Sequence, residues 1–437
     1  MWSYHPELLE TPVPRYTSYP TAAEFGPDVG AEAFGDALQR VTGDISLYLH
    51  IPFCQSICWY CGCNTERANR PERLASYLEA LHREIALVGA GLSRTARVRR
   101  IAFGGGSPNA ISPIDFVRLI VALTQSFPLA DPVLSVELDP RSLDEGWGPT
   151  LKAVGVRRAS LGVQTFDPAL QRAIGRVQPY AMIERCTDLL RGAGVTSVNF
   201  DLMYGLPGQG PDQLADTLDK AIGLGADRIA LFGYAHVPEM FARQRRIDAS
   251  ALPDQAARFA FAAQGYQRLV SAGYVPVGFD HFALPGDPLA QAATSGRLHR
   301  NFQGFTDDAA PVLIGLGASA ISSFPELLVQ NEKNAGRYRM MLSQKRLTGA
   351  RGIRRSGEDR ARGALIEQLL CGGRTPLEPA IAQVIASRLA PFVRRGLAIV
   401  ADDVLVITPE GLPYARAIAA LFDRYRAQSE RTFSSAV

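Results

Sequence analysis

The chain has 437 residues, 47% of them hydrophobic and 20% charged, an ordinary globular balance that excludes a wholly disordered chain and suffices for one large core plus a smaller domain. Its formal net charge of +3 is too small to argue for nucleic acid or an anionic membrane as a partner. No apolar run is long enough to span a bilayer and no charged-then-apolar leader opens the sequence, so neither stable membrane insertion nor secretion is expected and a cytoplasmic location is predicted.

In chain order, the first β-rich apolar run covers residues 45–50, and others follow at 98–103, 133–138, 158–164, 197–203, 228–232 and 274–280. Amphipathic stretches separate them. In the first, Leu74, Leu78, Leu81, Ile85 and Val88 recur every three or four residues and predict a helix, with His82 beside the apolar stripe on the surface. Repeated βα units of this kind predict an α/β fold, a parallel barrel-like sheet with its chemistry at the C-terminal ends of the strands. The residues able to do chemistry fall there: His50 and a group of cysteines after the first strand, Gly104, Gly105 and Gly106 after the second. Glu137, Gln164 and Asp201 end the next three, and Ala235 with His236 follows the sixth.

The cysteine group holds Cys54, Cys58, Cys61 and Cys63, four of only six cysteines. The first three are spaced C-x3-C-x2-C, which lets one loop bind three irons of a cubane and leaves the fourth iron for a non-protein ligand. Structural zinc asks for four protein ligands, usually in two separated pairs, and cysteines this close cannot all pair as disulfides without strain. An iron-sulfur site is the preferred reading and zinc its alternative. Cys63 is left over, either as a buried small hydrophobe or as a group beside the cluster or substrate. Cys186, at helical spacing from Met182 and Leu189, and Cys371, ending an apolar helical run, read as packing. His50 reads as a hydrogen-bonding neighbour of the cysteine loop, whereas His236 and His281 fit core and substrate roles equally well.

After about residue 323 the character changes. Helical patterns at 358–370 and 379–395 precede an apparent hairpin at 397–407 that turns at Asp402 and Asp403, and a final helix follows Thr408. Helices followed by a hairpin suggest a winged-helix-like C-terminal domain. Its hairpin tip is acidic where a phosphate-contacting wing would be basic, so a lid or buttress on the barrel is expected and nucleic acid is not. The division expected is 1–40 as an N-terminal closing segment, 41–323 as the barrel and 324–437 as the C-terminal domain.

The cysteine loop with Tyr60 just before Cys61, and the FGGGSP run at 103–108, resemble the radical S-adenosylmethionine (SAM) superfamily and its partial (β/α) barrel. PRYTSYPT at 14–21, YLHIPFC at 48–54, CGC at 61–63, DLMYGLP at 201–207, YAHVP at 234–238, DHF at 280–282 and LHRNFQG at 298–304 resemble, more narrowly, the oxygen-independent coproporphyrinogen III oxidases. The resemblance covers nearly the whole chain. It implies a 4Fe-4S cluster on Cys54, Cys58 and Cys61, and two SAM molecules. Tyr48, Gly105, Glu137 and Ile321 match positions at the first molecule; Gly106, Ser107, Gln164, Arg176, Asp201 and Ala235 match positions at the second, with Phe302 and Gln303 near it and Tyr60 also on the cofactor side. Tyr48 and Cys63 are the candidates for a direct part in catalysis. Glu137 and Asp201 would accept from ammonium or hydroxyl groups and Arg176 would fork onto a carboxylate; the competing reading makes the two carboxylates structural partners of arginines.

The activity implied is oxidative decarboxylation of two propionates of coproporphyrinogen III to vinyl groups, giving protoporphyrinogen IX. An electron donor such as flavodoxin or ferredoxin and a monomeric state are expected with it. The alternatives are a haem-degrading or methyl-transferring radical SAM enzyme and a haem-trafficking protein without turnover. Departures from the family pattern fall at Ser107 and then Asn109, where threonine is usual and the serine keeps the hydroxyl but loses a methyl, at Leu284 in place of an arginine, and at Gly372 and Gly373; the last three put the identity of the tetrapyrrole in question. Arg15, Tyr16, Thr17, Ser18 and Tyr19 are expected to close over the barrel mouth and confine the substrate.

Overall fold

The computed structural model describes residues 2–426. Its centre is a single twelve-stranded sheet. The strands in chain order are β1 Gly43–Ile51, β2 Ala96–Gly105, β3 Leu129–Leu138, β4 Val156–Gln164, β5 Ser197–Tyr204, β6 Arg228–Gly233, β7 Val275–Val277, β8 His281–Ala283, β9 Val312–Leu316, β10 Ile321–Phe324, β11 Leu327–Asn331 and β12 Gly349–Arg354. Across the sheet they run β12, β11, β10, β9, β1, β2, β3, β4, β5, β6, β8, β7. From β9 to β6 every neighbouring pair is parallel. The remaining pairs, at both ends, are antiparallel, so the barrel is partial and open.

Parallel strands need helical crossovers, and the apolar faces of those helices cover the sheet from outside. In Pro71–Gly91, Leu78, Leu81, Ile85 and Val88 are buried as the periodicity predicted, whereas Leu74 is only partly covered. His82 is partly exposed beside them. Helix starts are fixed locally: the Ser112, Asp167 and Asp254 side chains accept from backbone N–H groups of the first turns that follow.

Six of the seven strands read from the sequence are present. Residues 274–280 instead form β7 and the turn into β8, because Gly278 takes a left-handed φ of 60° and Phe305 packs where a side chain would stand. Strands β8 to β12 were not read from the sequence; among them β9 is a fully buried five-residue run that pairs parallel with β1 and is interrupted by Gly315.

The C-terminal helices Gly357–Gly372 and Pro379–Arg394 pack with the hairpin Ala398–Ala401 and Val404–Ile407. Asp402 and Asp403 both have positive φ, 50° and 56°, which is the tight two-residue turn of a twisted hairpin. The final helix is broken: Pro409–Tyr414 is a 3-10 turn containing Pro413, followed by a short helix Ala415–Ala419.

Packing does not follow the division expected at residues 40 and 323. The sheet runs on through β11 and β12, and Phe34 and Leu38 of the helix Ala31–Arg40 belong to the main core. A second core joins Leu9, Val13, Tyr16 and Tyr19 to the C-terminal helices.

Candidate functional site

A cavity of about 620 Å³ opens at the C-terminal ends of the parallel strands. It is lined by Cys54, Cys58, Cys61 and Cys63 together with Tyr60, Gly105 and Gly106. Glu137, Gln164, Arg176, Asp201 and Ala235 complete its wall. Twelve positions singled out from the sequence therefore converge, although their elements are spread over residues 54–235.

The cysteine loop is held from several sides. Thr65 Oγ1 donates to Cys54 Sγ at 3.3 Å, and the Trp59 N–H donates to Ile174 O at 3.0 Å. Gly175, at φ 65°, lies so close to the Trp59 indole that a Cβ would sit 2.7 Å from it. Gln244 is buried and donates from Nε2 to Tyr60 O at 2.8 Å and Ala235 O at 3.1 Å, clipping the loop to the segment after β6. Gly106 presses against the loop's first residues, where a Cβ would be 2.5 Å from Phe53 O. Gly105, at φ 113°, would place one 2.7 Å from the His50 ring. Burial lowers His50 to about 4, so it is a neutral hydrogen-bonding neighbour of Tyr48, at 3.2 Å, and of Asn64 O, at 3.3 Å.

Two arginines converge on one thiol. Arg141 Nη2 lies 3.2 Å and Arg176 Nη1 3.1 Å from Cys58 Sγ. Both arginines pair with Asp139, at 2.6 and 3.2 Å. Burial pushes Asp139 up, but Arg176 and then Arg141 outweigh it and hold the carboxylate below its ordinary value. Asp139 is fixed in turn by Ser107 and Asn109, whose side-chain oxygens accept from its N–H at 3.1 and 3.0 Å. Ser107 is buried, and its hydroxyl oxygen accepts from the Asp139 N–H. Arg176 lines the cavity and donates to Asp139, to Gly162 O at 2.7 Å and to Cys58.

Glu137 and Asp201 differ from Asp139 in having neutral partners. Gly105 N–H donates to Glu137 at 3.3 Å, while Ser160 and Asn199 donate to Asp201 at 2.9 and 2.8 Å. Burial, and then the charge of Asp201, raises Glu137 to about 7, and burial raises Asp201. No ion pair joins either of them to an arginine among the described residues, so they are not structural counter-ions. Such carboxylates suit a ligand that brings its own ammonium or hydroxyl donors.

Cys63 is exposed at this cavity, which removes the buried-hydrophobe reading. Its N–H lies 3.3 Å from Cys61 Sγ, and the side-chain hydrogen bond between the two thiols outweighs burial to lower Cys61 to about 6. Burial instead raises Cys54 to about 11.

Below lies a second chamber of about 340 Å³ that shares Glu137, Ser160, Asp201 and Phe232 with the first and also takes in Gln303 and His281. Its floor is charge-paired: Asp307 receives both Arg100 and Arg158, at 2.9 and 2.7 Å, and Arg228 meets Asp287 at 2.7 Å. Tyr48 on β1 and Ile321 on β10 flank β9, one on each side of Gly315, but line neither chamber. Phe302 faces a different cavity beside Tyr16, Thr17, Ser18 and Tyr19. Leu284, Gly372 and Gly373 line none of these spaces. His236 is bonded to Tyr234 at 2.9 Å, and Cys186 is core. Asp139, Arg141, Thr65 and Gln244 escaped the sequence reading; an arginine or glutamine has no local pattern that announces a partner so far along the chain.

The donor set fits an iron-sulfur cubane. Three cysteines of one loop face a space that also offers glycine-lined backbone and carboxylates without charged partners, and two guanidinium groups back the Cys58 sulfur. Among the described residues no three His, Cys, Asp or Glu side chains converge on a single metal ion; a cubane does not require it, because each thiolate meets its own iron.

Residues 48–221 match the model of the radical SAM superfamily. The chain is 41% identical over 440 residues to the oxygen-independent coproporphyrinogen III oxidase of Bradyrhizobium diazoefficiens, covering 98% of each. It is 37% identical over 430 residues to that of Escherichia coli K12, covering 96% of this chain and 94% of the relative. The solved structure of the Escherichia coli coproporphyrinogen III oxidase, described as a radical SAM enzyme, superposes with a TM-score of 0.91 at 35% identity, covering 97% of this chain and 99% of that one.

Proposed function

This chain belongs to the oxygen-independent coproporphyrinogen III oxidase family of radical SAM enzymes, and from that premise we propose how its own residues carry the reaction. The reaction is oxidative decarboxylation in haem biosynthesis: two propionate side chains of coproporphyrinogen III, on rings A and B, each lose a β-hydrogen, carbon dioxide and an electron. Vinyl groups remain and the product is protoporphyrinogen IX. A 4Fe-4S cluster and SAM, when bound, supply the 5′-deoxyadenosyl radical that removes the hydrogen.

Cys54, Cys58 and Cys61 would hold the cluster. Arg141 and Arg176 donate to the Cys58 thiolate and offset its negative charge, and Asp139 keeps both guanidinium groups in place. Gly105 and Gly106 let backbone approach the cofactor, and Glu137 and Asp201 receive its ammonium and hydroxyl groups. The adjoining chambers are the reason to propose two SAM molecules instead of one. Tyr48 and Ile321 act through the strands they sit on, since neither reaches a chamber. The walls exclude water, and the protein's work is to position the target carbon.

The observation that carries this reading is the meeting of the cysteine loop with two carboxylates that lack charged partners at one set of strand ends. A low-potential carrier such as flavodoxin or ferredoxin, action as a monomer and a cytoplasmic location complete the proposal; no helix among the described residues is long and apolar enough to cross a membrane. The test is an anaerobic reaction of the reconstituted protein with SAM, reductant and coproporphyrinogen III, followed by mass spectrometry. Loss of two carbon dioxide molecules per tetrapyrrole is expected. Stoichiometric tetrapyrrole binding without loss of mass, or consumption of haem instead, would contradict it.

A further inference from the structure

Five consecutive carbonyls near the N-terminus are clasped by arginines from far along the chain. Arg426 Nη2 donates to Pro12 O at 2.9 Å, and Arg416 donates to Val13 O at 2.6 Å and Pro14 O at 3.3 Å. Arg300 donates to Arg15 O at 2.9 Å and Tyr16 O at 3.1 Å while its guanidinium lies 4.3 Å from the centre of the Phe305 ring. Tyr16 takes a left-handed φ of 48°, buries its ring in the second core and donates to Asp423 at 3.0 Å. The strap is thus fixed on both sides of Arg15.

Arg15 is the strap residue that lines the strand-end cavity. Its guanidinium lies 5.1 Å over the Phe232 ring, and its Nη2 is 3.5 Å from Gly233 O, too far for a strong hydrogen bond. Asp280, the carboxylate beside it, is engaged by His281 Nδ1 at 2.6 Å. Among the described residues no carboxylate comes within ion-pair distance of Arg15. A guanidinium that lines the cavity, stacks on an aromatic face, is held by its backbone and has no carboxylate partner among the described residues can receive a carboxylate bidentately.

We propose that Arg15 is the residue that recognises a propionate carboxylate of the tetrapyrrole at the cavity mouth. This rests on the reaction proposed above and adds to it a specificity-determining contact. A carboxylate could also come from the methionine part of SAM, and the experiment separates the two sources. Full-length Arg15→Gln and Arg15→Lys are reconstituted; iron content, equilibrium affinity for SAM, and KM and kcat for coproporphyrinogen III are measured beside the wild type. Arg15→Gln should keep iron and SAM affinity and raise the KM for coproporphyrinogen III about tenfold or more; Arg15→Lys, which keeps the charge and loses the fork, should fall between. An unchanged KM in Arg15→Gln overturns the proposal, as does a loss of SAM affinity equal to or greater than the rise in KM. If the wild type itself releases no carbon dioxide, the reaction proposed above fails instead.

Discussion

The cysteine loop and the N-terminal strap both border the same cavity, but they are held there differently. The loop is short, its three proposed cluster ligands lie within residues 54–61, and most of its supports come from strand ends and turns of the barrel. The strap is fixed by backbone carbonyls that accept from Arg300, Arg416 and Arg426, hundreds of residues away. A site for an inorganic cofactor needs its ligands at fixed spacing, whereas a wall that confines substrate can be assembled from any part of the chain. Damage to the first should remove the chemistry; damage to the second should leave the chemistry running and misdirect it.

The largest effect is expected at the loop. Cys54→Ala, Cys58→Ala or Cys61→Ala should abolish the cluster after anaerobic reconstitution, while Cys63→Ala retains it, as read by iron counting and EPR. A Cys63 variant without iron, beside one of the other three with a full cluster, would reverse the assignment. Next comes Asp139→Ala, which strands two buried guanidinium groups and should cost about 3 to 5 kcal/mol of stability in denaturant unfolding. A loss below about 1 kcal/mol would show that Asp139 is not the anchor of Arg141 and Arg176. Asp201→Ala should keep iron but weaken SAM binding by roughly 1.5 to 3 kcal/mol in equilibrium titration; unchanged affinity would remove Asp201 from the cofactor site.

The smallest effect is a pH dependence of the apo-protein. Glu137 binds its proton more tightly when folded, at about 7 against an ordinary 4.5. Its contribution to stability is therefore full below 4.5 and is lost as pH rises through 7. Glu137→Gln should flatten that decline in unfolding curves collected across the range; an equally steep decline would assign it to other groups.

What could be read from the sequence follows the same contrast. The six parallel strands through 228–232 and the cavity residues at their ends were legible because β-periodicity and the C-x3-C-x2-C spacing are local signals. The strand Val312–Leu316 was missed because a short buried run broken by Gly315 has no alternation to read. The acceptors of Arg176, Asp139, Gly162 and Cys58, were not legible because they are set by the fold and not by spacing. The segment 15–19 was expected to close over the mouth as a unit; Arg15 reaches the cavity, while Tyr16 and Tyr19 are committed to the second core. Deleting residues 1–22 would therefore remove part of that core and would not isolate a gating effect.

The most direct test of this division of labour is the ratio of 5′-deoxyadenosine to carbon dioxide in a single anaerobic reaction, compared between the wild type and Arg300→Gln, which loosens the clasp on Arg15 and Tyr16. Iron content and 5′-deoxyadenosine formation should stay near wild type while carbon dioxide falls, so the ratio rises severalfold. An unchanged ratio, or loss of the cluster along with the clasp, would contradict the account.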